Sequence, residues 1–299
     1  MLTETAMSRP LQTPALSEQP LVAIGGIGGS GTRAVAQIMQ NAGLHMGHDL
    51  NVSLDDLAFT TLFKRHAALP IEANTERLNE ALLLYLRSRG VQAQDPRRQV
   101  DIHDRLLAFF STLPGPQRAE QHCEWMDGQW LLARALRLAR VGEHQGPVAW
   151  KEPNAHVVLP YLLTALPNLY YLHVIRHGLD MAFSRNDAQT RLWGQSFTGQ
   201  ALNGDRPDHK FVYWCAVHDR IRQLREWFPR RVILCPMDLN QASCIDAVTP
   251  ALEHLGKSLP KATQFKHPPT VGRFRAMPSF SVTAEQADTL TYFGYAQTW

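Results

Sequence analysis

"LVAIGGIGGSGTRAVAQIM", residues 21–39, places five glycines between two apolar runs. The run at 21–24 is short, apolar and stopped by glycine, which reads as a buried strand. From Gly31 the period turns helical: Val35, Ile38, Met39 and Ala42 fall on one face, and Gly43 ends the helix. Strand, glycine loop and helix make a phosphate-binding βα unit. N–H groups at a helix N-terminus point outward unpaired, and the helix dipole favours negative charge there. Gly25 to Thr32 can therefore cradle an anion, with Ser30 and Thr32 adding hydroxyl donors.

The loop differs from that of the nucleotide hydrolases, GxxxxGK[ST]. From Gly26 this chain reads G-I-G-G-S-G-T-R, with Thr32 at the lysine and Arg33 at the magnesium-binding hydroxyl. Both parts that serve a γ-phosphate and its metal are replaced. A standard ATPase or GTPase is disfavoured, although "VILCPMD", ending at Asp238, mimics a second nucleotide motif.

Beyond this unit, "PVAW" (147–150), "LYYLHVI" (169–175) and "RRVILCPM" (230–237) read as strands. Helices are expected over 76–88, 119–141 and 209–228, and a loop over "RGVQAQDPRRQ" (89–99). Arg134, Arg137 and Arg140 recur every third residue and read as a solvated face. Strands alternating with helices imply an α/β three-layer sandwich with a mainly parallel central sheet, of the P-loop NTPase-like kind. Without a repeat or a Gly/Ser linker, residues 20–299 are expected to form a single domain. Residues 1–19, rich in proline and polar groups, read as a flexible N-terminal tail without signal-peptide character.

Bulk properties narrow the class. The 299 residues carry 30 basic and 27 acidic side chains, a formal charge of +3, which does not argue for a nucleic-acid partner. No apolar run approaches the roughly 20 residues of a membrane span. Four cysteines without a CxxC pair, Cys123, Cys215, Cys235 and Cys244, read as free thiols. A cytoplasmic protein without a metal site is the expectation.

Three further segments put polar groups near strand ends or in a basic loop. Arg176 follows the strand 169–175, where ligands sit in α/β sheets, and Asp180 and Ser184 share a helix face with it. Lys151 directly follows 147–150 in "VAWKEPN". Gly272, Arg273 and Arg275 form a small basic loop in "TVGRFRAM" (270–277).

Together these pieces resemble the sulfotransferases that use 3′-phosphoadenosine 5′-phosphosulfate (PAPS). "GGSGTR" is similar to their glycine loop, Arg176–Asp180–Ser184 to their R-x-x-x-D-x-x-x-S motif, Lys151-Glu152-Pro153 to their K-x-P segment, and "VGRFR" to their C-terminal basic loop. The resemblance implies that residues 25–33, chiefly Gly28, Gly29, Ser30, Gly31, Thr32 and Arg33, hold the 5′-phosphosulfate. It implies that Arg176 and Ser184 hold the 3′-phosphate, helped by Gly272 and Arg273, while Asp180 orients its helix. The donor would be PAPS, without a metal, because a sulfuryl group carries less negative charge than a γ-phosphate.

One departure stands out. Many members keep a basic residue just before the S-G-T of the loop, where this chain has Gly29. The leaving oxygen then needs another cation, Lys151 in preference to Arg33. Related members use a glutamate as general base after the first helix. The corresponding region here, "GLHMGHDLNVSLDD", offers His48, Asp49, Asp55 and Asp56, with Asp49 ahead of His48 and Glu152 as a third option. Residues 185–199 are a candidate lid. The acceptor would present a hydroxyl or amine, on a saccharide or glycolipid in preference to a protein. The alternatives are a divergent P-loop kinase and a non-catalytic nucleotide-binding protein.

Overall fold

The computed structural model describes residues 15–64, 75–91, 102–111, 128–139, 147–239, 241–259 and 270–295. Four strands form its sheet: β1 (Leu21–Gly26), β2 (Val148–Lys151), β3 (Leu169–Ile175) and β4 (Val232–Pro236). Their order is β2-β1-β3-β4, and every pairing is parallel. All four strands expected from sequence are present, with β3 at the bounds read from it.

The helices are α1 (Thr32–Asn41), α2 (Leu57–Phe59), α3 (Thr75–Ser88), α4 (Ile102–Ser111), α5 (Gly128–Ala139), α6 (Leu159–Ala165), α7 (Gly178–Ala182), α8 (Ala188–Thr198), α9 (Pro207–Trp227), α10 (Gln241–His254) and α11 (Ala284–Tyr292). Of the helix expected over 119–141, residues 128–139 are described; the rest lies outside the described residues, as do Arg140 and most of the loop 89–99.

Strand alternation sorts side chains into two apolar layers. Val22 and Ile24 join Val35, Ile38 and Met39 of α1 and Val248 and Leu252 of α10 on one face. Leu21 and Ala23 join Trp150, Tyr171 and side chains of α3, α6, α8 and α9 on the other. Helices thus cover both faces of a parallel sheet, a three-layer α/β fold. From β1 the chain crosses to β2 on one side, then returns past β1 to β3 on the other. That reversal opens a crevice at the carboxyl end of β1, where ligands bind in such sheets.

Two local expectations change. Arg134 belongs to no solvated face: it is buried and ion-paired with Asp49. A carboxylate reaching α5 from the 49–56 segment draws the guanidinium inward, which a spacing of three cannot reveal. Arg137, the more exposed neighbour, donates to the same Asp49 oxygen at 2.9 Å. In the tail assigned to residues 1–19, residues 15–19 lie against the body: Leu16 is buried and its N–H donates to the Ala165 carbonyl at 2.9 Å. Residues 1–14 lie outside the described residues.

Candidate functional site

The glycine loop joins β1 to α1 through Gly31, which caps the helix at φ 110°. Among the described residues, the N–H groups of Gly29, Gly31, Thr32 and Arg33 make no hydrogen bond. The Ser30 hydroxyl is buried and also lacks a partner. A buried donor without a partner is uncommon, and here it lies in a ring of outward amides. These groups suit an anion.

Gly29 has φ 97°, a left-handed conformation that disfavours any side chain. Space is not the limit, since a Cβ there would meet Ser184 Oγ at 3.4 Å and Met181 Cε at 3.6 Å. The backbone path of this loop, rather than crowding, excludes the basic residue that the resemblance leads one to expect. Gly31 is constrained twice, because a Cβ would also meet Met237 Cε at 2.7 Å.

The same distance shows that Ser184 lies beside the loop. Its hydroxyl accepts the Asn186 N–H at 3.2 Å, leaving its own proton free to donate. Arg176 is buried at the end of β3, donates through Nη2 to Asp180 at 3.2 Å and to the Thr270 carbonyl, and has no partner for Nε among the described residues. Asp180, fully buried, also accepts the Gly272 N–H at 2.7 Å and the Phe274 N–H at 3.1 Å. It therefore ties the C-terminal basic segment to Arg176. Arg273 reaches the Phe183 carbonyl at 3.3 Å. Lys210 on α9, which has no motif to mark it, places its ammonium 2.5 Å from the Ser184 carbonyl. Basic side chains from two elements thus meet the backbone at Phe183 and Ser184.

Lys151 continues β2 in register with Ile24 of β1. Its buried ammonium pairs with Asp55 and donates to the Ser53 carbonyl at 2.6 Å. Arg33, one residue into α1, donates to Ser53 Oγ at 2.5 Å. The two candidate cations therefore converge on one residue of the 51–55 loop, whose Leu54 has φ 63°.

The candidate bases separate by position. Asp56 is buried, ion-paired with Arg89 and bonded to the N–H groups of Ala58 and Phe59. Asp49 is held between Arg134 and Arg137. His48 is exposed and pairs with His45 at 2.8 Å. Glu152 and Asp55 instead line an open cleft of about 820 Å³ that begins at Gly28 and is walled by Thr60, Asn154, Gln189 and Asp205. Burial, and then the charge of Asp55, push the Glu152 carboxyl up from its ordinary value; the Thr60 hydroxyl and Lys64 pull it partly back. Such a carboxylate is a stronger proton acceptor than one in water.

The segment 185–199 forms a wall of this cleft through α8 and the residues before it. Gln189 accepts the Gly28 N–H at 2.7 Å, and Trp193 is fully buried. Asp238, which mimics a nucleotide motif in sequence, accepts the His177 N–H at 2.6 Å and the Tyr295 hydroxyl at 2.8 Å. It braces β4 against the C-terminal segment.

A family model described as "Sulfotransferase family" matches residues 20–235. The chain belongs to the sulfotransferase family. The match spans the glycine loop, Lys151 and the Arg176–Ser184 segment, and ends before Gly272. Among solved structures, this sulfotransferase is similar to the sulfotransferase domain of the Synechococcus PCC 7002 olefin synthase, at 13% identity and TM-score 0.45, covering 96% of this chain and 99% of that one. It is also similar to sulfotransferase STF9 of Mycobacterium avium, at 15% identity and TM-score 0.41, covering 93% and 76%. STF1 of Mycobacterium tuberculosis H37Rv matches at 11% identity and TM-score 0.39, covering 93% and 77%. No curated protein sequence matches the chain. Among the described residues of this sulfotransferase, no helix is long and apolar enough to cross a membrane, and no cluster of His, Cys, Asp or Glu is arranged to hold a metal.

Proposed function

We propose that this sulfotransferase moves the sulfuryl group of PAPS to a hydroxyl or amine on a polar acceptor, with a saccharide as the preferred class. The carrying observation is the contact between two anion-binding surfaces. The unpaired amides and Ser30 hydroxyl of the glycine loop meet the basic Ser184 surface at Gly29. A ligand with phosphates on both the 3′ and 5′ positions of one ribose suits that pairing better than a triphosphate, whose charge lies along one chain.

In this reading the amides of Gly29, Gly31, Thr32 and Arg33 and the Ser30 hydroxyl bind the 5′-phosphosulfate, while the Gly28 N–H is turned to Gln189, and Arg176, Ser184, Gly272 and Arg273 bind the 3′-phosphate. Arg176 and Gly272 act partly through Asp180, which fixes both. Transfer is an in-line displacement in which negative charge grows on the bridging oxygen as the acceptor oxygen or nitrogen bonds to sulfur. Loop amides and a fixed cation stabilise that charge. Lys151 is the preferred cation and Arg33 the second, because Lys151 is fixed by its strand. Glu152 takes the acceptor proton. It replaces Asp49 and His48 as the favoured base because it lines the cleft, whereas Asp49 is clamped by two arginines and His48 is exposed beside His45. The cleft wall, rich in carboxylate, amide and hydroxyl groups, favours a polar acceptor.

A ligand that binds the folded state alone raises the unfolding temperature. Adenosine 3′,5′-bisphosphate should raise it in EDTA, and ATP with magnesium should leave it nearly unchanged. The reverse pattern would favour the kinase reading.

A further inference from the structure

Glu152 is joined to the glycine loop by an unbroken run of hydrogen bonds. The Gly28 N–H donates to Gln189 Oε1 at 2.7 Å. Gln189 Nε2 donates to Asn154 Oδ1 at 3.0 Å. Asn154 Nδ2 donates to Glu152 Oε1 at 2.5 Å, and the Asn154 N–H reaches the same oxygen at 3.0 Å.

The direction of this run is fixed chemically. An amide side chain can ordinarily be turned over, exchanging donor and acceptor. Here two groups that can only donate prevent it. The backbone N–H of Gly28 requires the oxygen of Gln189 to face it. The indole N–H of buried Trp193, 2.9 Å from Asn154 Oδ1, requires the oxygen of Asn154. The Gln189 amide then points its N–H groups at Asn154 and the Gly26 carbonyl, and the Asn154 amide points its own at Glu152.

We propose that Gln189 and Asn154 are positioning residues that fix the Glu152 carboxylate from the glycine loop, so that Oε1 is saturated with donors and Oε2 is the proton-accepting oxygen. Oε2 accepts from the Thr60 hydroxyl, whose single proton is also offered to the Asp56 carbonyl at 3.0 Å, so Oε2 has one shared donor against the two fixed ones on Oε1. The charged groups facing Glu152 are Asp55, which opposes ionisation, and Lys64, which favours it. Neither lies in the hydrogen-bonded run. Only the base role assigned to Glu152 rests on the proposed function; the chain of hydrogen bonds does not.

The test titrates Glu152 by infrared difference spectroscopy of its carboxyl band, assigned with Glu152→Gln. Asn154→Ala removes a donor to the charged form, and its titration should move up by about one pH unit. Gln189→Leu touches neither Glu152 oxygen, yet it should move the titration in the same direction by a smaller amount, because Asn154 loses part of its restraint. The double variant should shift no further than Asn154→Ala alone, the non-additivity expected of residues acting in series. A merely structural role would lower the unfolding temperature and leave the titration in place. An unshifted titration in Gln189→Leu, or additive shifts, overturns the proposal. Should Asn154→Ala fail to fold, Gln189→Leu alone decides. If the shifts appear but wild type fails to bind adenosine 3′,5′-bisphosphate, the positioning chain stands and the proposed function falls.

Discussion

Lys151 and Asp55 are ion-paired at the carboxyl end of β2, and the same ammonium donates to the Ser53 carbonyl at 2.6 Å. Arg33 meets Ser53 from α1 at 2.5 Å. The 51–55 loop therefore holds both cations that could serve the leaving oxygen. In the proposed function, Lys151 at the end of β2 takes the place of a basic residue at position 29.

Lys151→Ala should lower kcat by roughly 10²- to 10³-fold, the loss typical when one stabilising donor is removed. Its Kd for adenosine 3′,5′-bisphosphate should change less than about threefold. Steady-state kinetics beside calorimetric binding checks this. An intact kcat would transfer the role to Arg33.

Burial, and then the charge of Asp55, raise the Glu152 carboxyl above its ordinary value. A base is active when deprotonated, so kcat/KM should fall with decreasing pH through a limb above the ordinary value of a glutamate. Glu152→Gln should abolish that limb along with most turnover. A limb retained in the variant would return the assignment to Asp49 or His48.

Restoring a basic residue to the loop should not help. Gly29 sits at φ 97°, and a left-handed conformation costs an L-residue about 1–2 kcal/mol. Gly29→Lys and Gly29→Ala should both lose stability of that order in denaturant titration. A Gly29→Lys protein as stable as wild type and more active would contradict this reading of the loop.

Asp180→Ala should destabilise by about 3–5 kcal/mol, because it strands the buried Arg176 charge and frees two amides of the C-terminal segment. Chemical denaturation reads the loss directly.

The protein should lose stability in acid. His156, His218 and, within β3, His173 are buried, and burial is the first cause lowering each, with His156 at about 4 and His218 at about 3. The unfolded chain takes up their protons below about 6.5, while the folded chain does not until these lower values. Stability is therefore fully present above 6.5 and falls as pH drops from 6.5 toward 4. Unfolding temperatures between pH 7.5 and 4.5 test it, and His218→Gln should flatten the curve.

The strands and the glycine loop were legible because their signals are local: Leu21–Ile24 and Leu169–Ile175 are apolar runs stopped by glycine or charge. The positions of Lys151 and Arg176 were legible because each stands at or just beyond a strand's carboxyl end, and that of Ser184 because it follows Asp180 at helical spacing. The inward turn of Arg134 was not legible, since its partner Asp49 lies 85 residues away in sequence. Gln189, Asn154 and Lys210 gave no signal either, because amides and lysines are common on surfaces and only the fold brings Gln189 to the glycine loop, Asn154 to Gln189 and Lys210 to Ser184. Asp49 and Glu152 were both visible as carboxylates; their burial partners, which sequence does not carry, separate them.

In the proposed function, the glycine loop and the Arg176–Ser184 surface together bind a nucleotide with phosphates on both sides of its ribose, without a metal. The direct measurement is calorimetric binding, in EDTA, of adenosine 3′,5′-bisphosphate and adenosine 5′-monophosphate to wild type and Arg176→Ala. Wild type should prefer the bisphosphate by about 10- to 100-fold, the worth of a charge-assisted hydrogen bond, and Arg176→Ala should lose that preference. Equal affinities in wild type, or an undiminished preference in the variant, would contradict the account.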